Sequence, residues 1–236
     1  MLGYMFGFLW LRRNLLSMIW LFSTPFTILF LFYVIAGASA LPAALVGAYV
    51  MLFVGAGISI MGDDVWSKHE LKYQDVLVAS TVSSFEYMAG LAFAELFFSL
   101  PGIIIILIPL LLINPTAYSV LTIFVVPSIT WLLTSSMSFY FSTHVPNTRN
   151  GWQISTLLNL ILTILPPIFY PIEAIPQLLR PLAYIVPTTH SALLLKNSLG
   201  IITLSLFDIV FSWAYLLLFS ILSTALAMRK AQWRDR

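Results

Sequence analysis

The three histidines are the first candidates for metal chemistry, but their spacing does not form a recognisable site. They stand at positions 69, 144 and 190, far apart in the sequence. His69-Glu70 begins the zinc motif H-E-x-x-H, but Tyr73 stands where the second histidine would be. A structural zinc site needs four ligands, and the chain has no cysteine to supply one. The sequence therefore predicts no metal site.

Motifs for nucleotide and ester hydrolysis are missing from the sequence. An ATP-binding loop has the form G-x-x-x-x-G-K-[ST], whose backbone N–H groups cradle phosphates, and no Gly-Lys pair occurs. The G-x-S-x-G turn of serine hydrolases is also absent. We therefore expect a chain that is not an enzyme and holds no cofactor of its own. Its net charge of +2 is too small to indicate a nucleic-acid partner.

Three acidic residues lie inside or at the ends of apolar stretches. An ionisable group inside a membrane is a functional candidate by default, because burying it costs about 3 kcal/mol on insertion scales. Glu86 and Asp208 lie near the ends of their stretches, where water reaches them, and we interpret them as ordinary polar residues. Glu95 lies near the middle of its stretch. For Glu95, a functional role and a hydrogen bond to a neighbouring helix are both open.

The composition indicates an integral membrane protein. Of 236 residues, 60% are hydrophobic and 8% are charged, whereas a soluble domain carries about 25% charged residues. Backbone groups in lipid must be satisfied within the segment, which favours helices. We therefore predict an all-α fold in a single transmembrane domain over residues 1–236, with six transmembrane helices. The six runs approach the spanning length of about 20 residues: 15–36, 41–61, 85–113, 117–141, 152–170 and 204–228.

The basic residues predict the orientation in the membrane. Nine of the 11 Lys and Arg residues fall before the first run, after the last run, or in the second and fourth connections. Only Arg180 and Lys196 fall on the other side. Because positive charge collects on the cytoplasmic side, we expect both termini in the cytoplasm and a multi-pass protein of the cell membrane.

Two connections between the predicted spans are long enough to have structure of their own. Residues 62–84 are polar, with apolar residues recurring at helical spacing, which predicts an amphipathic cytoplasmic helix suited to a partner or to the membrane surface. Residues 171–203 hold four prolines among apolar residues. Prolines at this density break a helix, so we expect short helices in or near the outer leaflet, in a hairpin-like segment.

Polar side chains recur within the fourth and fifth spans. The fifth has Thr156, Asn159 and Thr163 at helical spacing before Pro166-Pro167. The fourth carries hydroxyls at positions 130, 134, 135, 136 and 138. Two interpretations stay open: these faces line a path for a substrate, or they join helices through hydrogen bonds worth about 1 kcal/mol each.

The order of these features resembles a known family. The likeness is carried by FLWLRR at residues 8–13, by the segment from DDVW at 63–66 to DVLVAS at 75–80, by FEYMAG at 85–90, and by IFYPIEAIP at 168–176 followed by YIVPTTH at 184–190. The chain resembles the permease subunit of type-2 ATP-binding-cassette exporters, which include drug, lipid and polysaccharide export permeases. It departs from the family at Thr81, where a proline is common, and at 70–73, where a glycine is often found.

The resemblance implies a function and a set of partners. The chain would be half of an export channel, paired with a second copy or a related permease in the lipid bilayer. A separate cytoplasmic ATPase subunit would bind ATP and Mg²⁺, and its motion would pass to the spans. The residues expected to couple to that ATPase are Trp66, Lys68, His69, Glu70, Tyr73 and Asp75. Those expected to line the translocation path or the dimer interface are Asn159, Thr163, Phe169, Tyr170 and Glu173.

Two other classes of protein remain open on the sequence alone. A secondary transporter or channel without an ATPase favours broken helices in both halves, and here the break falls only near Pro166-Pro167 and after it. An intramembrane enzyme needs convergent catalytic groups at one depth, and Glu95 has no evident histidine partner.

Overall fold

The computed structural model describes residues 15–70 and 82–230. Across these ranges the chain is helical and forms no strand. The described residues form eight α-helices: α1 (Leu15–Ala36), α2 (Leu41–His69), α3 (Ser84–Ile113), α4 (Ala117–Ser142), α5 (Thr148–Thr163), α6 (Arg180–Ile185), α7 (Pro187–Ser198) and α8 (Leu206–Lys230). The prediction of an all-α fold is confirmed for the described residues.

Four of the described helices are long and apolar enough to cross a membrane. They correspond to Ala38–His69, Phe85–Ile113, Ala117–Ser142 and Leu206–Arg229. The described side chains of α1 add a shorter apolar stretch at Ser23–Ala36. Together these helices account for most of the apolar runs in the sequence.

Helix α2 is the centre of the bundle. It packs against α3, α4 and α5 along its length, and against α1 and α7 over shorter stretches. Its middle is fully enclosed, with Val46, Tyr49, Val54 and Ile60 all at 0% exposure. Helix α8 packs against α4 and α7 on the far side of α4. A buried helix of this kind is apolar all round, which explains why α2 has no polar stripe.

Two helix boundaries differ from the predicted spans. The second span was expected to end at residue 61 and to be followed by an amphipathic helix over 62–84, but α2 is one continuous helix through Asp63 and Asp64 to His69. The fifth was expected over 152–170, but α5 begins after the Asn147 cap and ends at Thr163. At 16 residues, α5 is about 24 Å long. It stops short of Pro166-Pro167 because proline removes a backbone donor and disfavours helix in the residue before it.

The segment from 171 to 203 folds back into the bundle. Two 3-10 turns, Ile172–Ala174 and Gln177–Leu179, precede the short α6 and the buried α7. The Ser191 hydroxyl lies 2.7 Å from that of Thr130, about halfway along α4. The chain then leaves α7 through Gly200, whose φ of 72° suits glycine. The segment is therefore re-entrant: it reaches the middle of the bundle and does not cross it.

Candidate functional site

A buried carboxylate joins three helices at one end of the bundle. Asp64 of α2 is fully buried. Its Oδ2 accepts from Lys68 Nζ at 2.5 Å and from Ser142 Oγ at 2.5 Å, and its Oδ1 accepts from Tyr87 Oη at 2.7 Å. Since Tyr87 belongs to α3 and Ser142 to α4, this carboxylate ties α2 to both neighbours. We call these four residues the Asp64 network, and the end of the bundle that holds it the Asp64 end.

Local sequence explains why these side chains converge. Asp64 and Lys68 are four residues apart on one helix, the spacing at which side chains meet. A capping box begins α3: Ser83 Oγ accepts from the Glu86 N–H, and the Glu86 carboxylate accepts from the Ser83 N–H. This cap places Tyr87 in the first turn of α3. Ser142 is the last residue of α4. The network therefore sits where three helix ends meet.

Helices α2 and α5 approach each other closely at the same end. A Cβ added to Gly62 would lie 2.5 Å from the indole ring of Trp152. Only hydrogen fits in that space, so the glycine allows α5 to lie directly on α2. The connection from α4 to α5 also lies at the Asp64 end. There the Asn147 side chain accepts from the Asn150 N–H and caps α5. Four helix ends are thus fixed relative to one another.

The opposite end of the bundle is built around the break after α5. Phe169 is buried and stacks on Phe32 of α1, with ring centroids 5.8 Å apart. A Cβ on Gly47 of α2 would lie 2.5 Å from the Phe169 ring. The glycine therefore provides the recess in α2 that receives this aromatic ring.

A buried lysine holds the broken backbone in place. Lys196 of α7 is 3% exposed, and its Nζ donates at 2.9 Å to the carbonyl oxygens of Pro167 and Tyr170. These carbonyls lie just beyond α5, where no helix continues to satisfy them. Burial lowers the pKa of Lys196 to about 8, against the opposing influence of Glu173. We call this end of the bundle the Lys196 end.

A histidine anchors the start of α7. His190 is fully buried, with Nε2 2.9 Å from the Tyr184 carbonyl oxygen and Nδ1 3.0 Å from Ser212 Oγ. A carbonyl only accepts, so the proton is on Nε2 and Nδ1 accepts from the serine. Desolvation lowers the pKa of His190 from its ordinary value, and the hydrogen bond to Tyr184 opposes that shift. In this tautomer the neutral ring joins α7 to α8.

The family model for ABC-2 type transporters matches residues 7–199. The chain belongs to the ABC-2 type transporter family. Members of this family are the membrane components of transporters. This chain is therefore an ABC transporter permease and a multi-pass membrane protein. A search of curated proteins gives no match to the chain.

The residues expected to couple an ABC-2 permease to its ATPase lie in two environments. Trp66, His69 and Glu70 are exposed on the last turn of α2 and at its C-cap. Lys68 instead turns inward to Asp64, with its side chain 11% exposed. Tyr73 and Asp75 lie outside the described residues. The exposed three share the Asp64 end with Thr148, whose hydroxyl lies 3.4 Å from the Glu70 carboxylate.

The residues expected at the path or dimer interface all lie near the Lys196 end, but not on one surface. Thr163 is buried and its hydroxyl donates to the Asn159 carbonyl oxygen at 2.6 Å. Tyr170 Oη donates to the Leu165 carbonyl oxygen at 2.9 Å, and Phe169 is buried against Gly47. Glu173 is exposed. The side-chain oxygen of Asn159 is buried and has no hydrogen-bond partner among the described residues.

Glu95 has a partner that sequence reasoning missed. Its carboxyl group faces that of Asp63 on α2, so the Glu95 side chain meets a neighbouring helix.

Three of the hydroxyls of α4 join helices. Thr130 bonds to Ser191 of α7, Ser136 to Thr224 of α8 at 2.9 Å, and Ser138 donates to the Ile58 carbonyl oxygen of α2 at 2.8 Å. Of the two interpretations left open by the sequence, these contacts favour helix packing for Thr130, Ser136 and Ser138. Within the part of the chain that the structure describes, no group of three His, Cys, Asp or Glu residues could hold a metal ion.

Proposed function

We propose that this chain is the membrane-spanning subunit of an ATP-driven exporter, with ATP hydrolysis in a separate cytoplasmic ATPase. It would cross the membrane six times, with α5 and the residues up to 170 forming the fifth span. A second copy or a related permease would complete the channel. The observation that carries the proposal is the continuity of α2, a single buried helix from the Gly47–Phe169 contact to the Asp64 network.

The distribution of charge supports a cytoplasmic Asp64 end. Lys68, Arg149 and Arg229 lie at this end, whereas Lys196 lies at the other. Positive residues collect on the cytoplasmic side of membrane proteins. An ATPase would therefore dock on the exposed last turn of α2 and on residues 71–81, which continue it in the sequence.

The Asp64 network explains how a docked ATPase would move the spans. A push on Trp66, His69 or Glu70 acts on the last turn of α2, directly beside Asp64. Because Asp64 binds Tyr87 and Ser142, the ends of α3 and α4 would follow. Helix α2 would carry the displacement to Phe169 and the re-entrant segment at the outer face.

Co-purification with the ATPase encoded by a neighbouring reading frame tests the proposal. The complex should hydrolyse ATP, and Glu70→Gln should weaken stimulation by the permease by about 1 kcal/mol, or roughly fivefold. Asp208→Asn is the matched control, because Asp208 is exposed at the other end and an asparagine there can still accept the hydrogen bond from Ser205, the residue that caps α8. A permease that purifies without any ATPase and leaves hydrolysis unchanged would instead support a secondary transporter or channel.

A further inference from the structure

A narrow groove runs between α4 and α8 on the outside of the bundle. It has a volume of about 350 Å³ and is lined by Leu132, Ser220, Ile221, Thr224, Ala225 and Met228. Leu132 and Ile221 at its edges are 37% and 64% exposed, so the groove opens sideways. In a membrane protein, an opening on the outer side of the membrane-spanning helices faces lipid.

The surface of the groove is suited to an apolar occupant. Four of the six lining residues are hydrocarbon or thioether side chains. The Thr224 hydroxyl is engaged with Ser136 of α4 at 2.9 Å, which closes the floor between the two helices. A satisfied hydroxyl offers little to a polar ligand, whereas bare hydrocarbon is stabilised by apolar contact.

The length of the groove suits an acyl chain. From Ser220 to Met228 the groove follows α8 for about 12 Å. Half of a bilayer core is about 15 Å deep. An acyl chain within one leaflet matches this length.

A positive charge lies one residue beyond the end of the groove. Arg229 follows Met228, the last lining residue of α8, and is exposed. Under the orientation proposed above, on which this inference rests, Arg229 is at the cytoplasmic surface. Arginine there attracts the anionic phosphates of the inner leaflet.

We propose that the α4–α8 groove binds one inner-leaflet anionic phospholipid, with an acyl chain along Leu132, Ile221 and Ala225 and its phosphate at Arg229. The lipid would fill the space between α8 and α4 beside the Ser136–Thr224 contact. It would thereby stabilise the packing of α8 on the bundle without entering the translocation path.

Native mass spectrometry tests this proposal on the permease alone. The protein is extracted from vesicles of phosphatidylcholine and phosphatidylglycerol in equal parts, and retained lipids are counted. We expect one retained phosphatidylglycerol, and Ala225→Trp should lower its retention by roughly fivefold or more by filling the groove. Leu226→Trp is the matched control, because Leu226 is 51% exposed on the same turn and does not line the groove.

A second variant keeps the test decisive if tryptophan disturbs folding. Arg229→Gln, at an exposed position, should retain lipid but lose the preference for phosphatidylglycerol over phosphatidylcholine. Unchanged retention in Ala225→Trp together with an unchanged preference for phosphatidylglycerol in Arg229→Gln would overturn the proposal, as would a wild type that retains no lipid. If Ala225→Trp dissociated a second copy of the chain without changing lipid retention, the groove would be a protein interface. Because this test uses the permease alone, it can fail while the ATPase complex still forms. Lipid can equally be retained when no ATPase complex forms.

Discussion

Ser142 donates a hydrogen bond of 2.5 Å to Asp64 across 78 residues of sequence. The same carboxylate holds Lys68 and Tyr87. A buried carboxylate with three donors has its hydrogen bonds satisfied. If the carboxylate is removed, its buried partners are left without an acceptor or a counter-charge. The network should therefore be sensitive to the loss of charge at position 64.

Asp64→Asn should lower the free energy of unfolding by about 3 kcal/mol, because it leaves the ammonium of Lys68 largely buried without its counter-charge. Thermal unfolding in detergent measures the change. The double variant Asp64→Asn/Lys68→Met should recover part of the loss, since it removes the unpaired charge. A single variant as stable as the wild type would contradict the network.

Gly62→Ala should destabilise the bundle by about 1–3 kcal/mol, because the new methyl group meets the Trp152 ring and forces α5 away from α2. Gly55→Ala on the same helix is the control. A Cβ there meets nothing within 4 Å, so the exchange should be neutral or stabilise α2 by up to about 1 kcal/mol. Equal effects of the two variants on the melting temperature would argue against this close approach.

The lowered pKa of His190 predicts a loss of stability in acid. Below the ordinary histidine pKa of about 6.5, the unfolded chain binds a proton that the folded ring resists. The contribution of His190 to the free energy of unfolding is therefore fully present above that pH, and it falls as the pH drops through the folded pKa.

His190→Gln tests this pH dependence by melting experiments between pH 8 and pH 5. The variant should be less stable than the wild type at pH 8, and the difference should narrow towards pH 5. His144→Gln, at an exposed position, should follow the wild-type profile throughout. A constant difference between His190→Gln and the wild type would show that the ring does not titrate in this range.

Lys196→Ala should loosen the re-entrant segment, because the Pro167 and Tyr170 carbonyls lose their donor. An unsatisfied buried group costs about 1–3 kcal/mol. Hydrogen exchange followed by mass spectrometry should show faster exchange over 187–203 and unchanged exchange over α3. Unchanged protection of the re-entrant segment would mean that Lys196 does not hold it.

The apolar core of the fold is readable from composition, but charged helix ends are not. Hydropathy predicted the end of the second span at residue 61, since Asp63 and Asp64 follow. The helix continues because Lys68, four residues on, and Tyr87 and Ser142 compensate the buried Asp64. The Lys68 spacing was visible in the sequence. The other two partners are 23 and 78 residues away, beyond the reach of any local pattern.

The re-entrant segment shows the same contrast between what the sequence predicts and what it does not. Prolines predicted a break after residue 170, but α5 ends earlier, at Thr163 and before Pro166. That Lys196 satisfies the broken backbone could not be predicted, because a lysine in an outer segment is ordinarily solvated. Hydroxyls along α4 were ambiguous for a similar reason: helical spacing places them on a face but does not identify the neighbouring helix.

Helix α2 also sets a mechanical limit on the molecule. At 29 residues it is about 43 Å long, and a hydrogen-bonded rod of that length neither shortens nor bends easily. Tilting it by about 10° around its middle would move each tip by about 4 Å in opposite directions. The aromatic recess at Gly47 and the carboxylate at Asp64 lie on either side of the middle of this rigid helix. A ligand that restrains the helix at one of these positions must therefore also restrain it at the other.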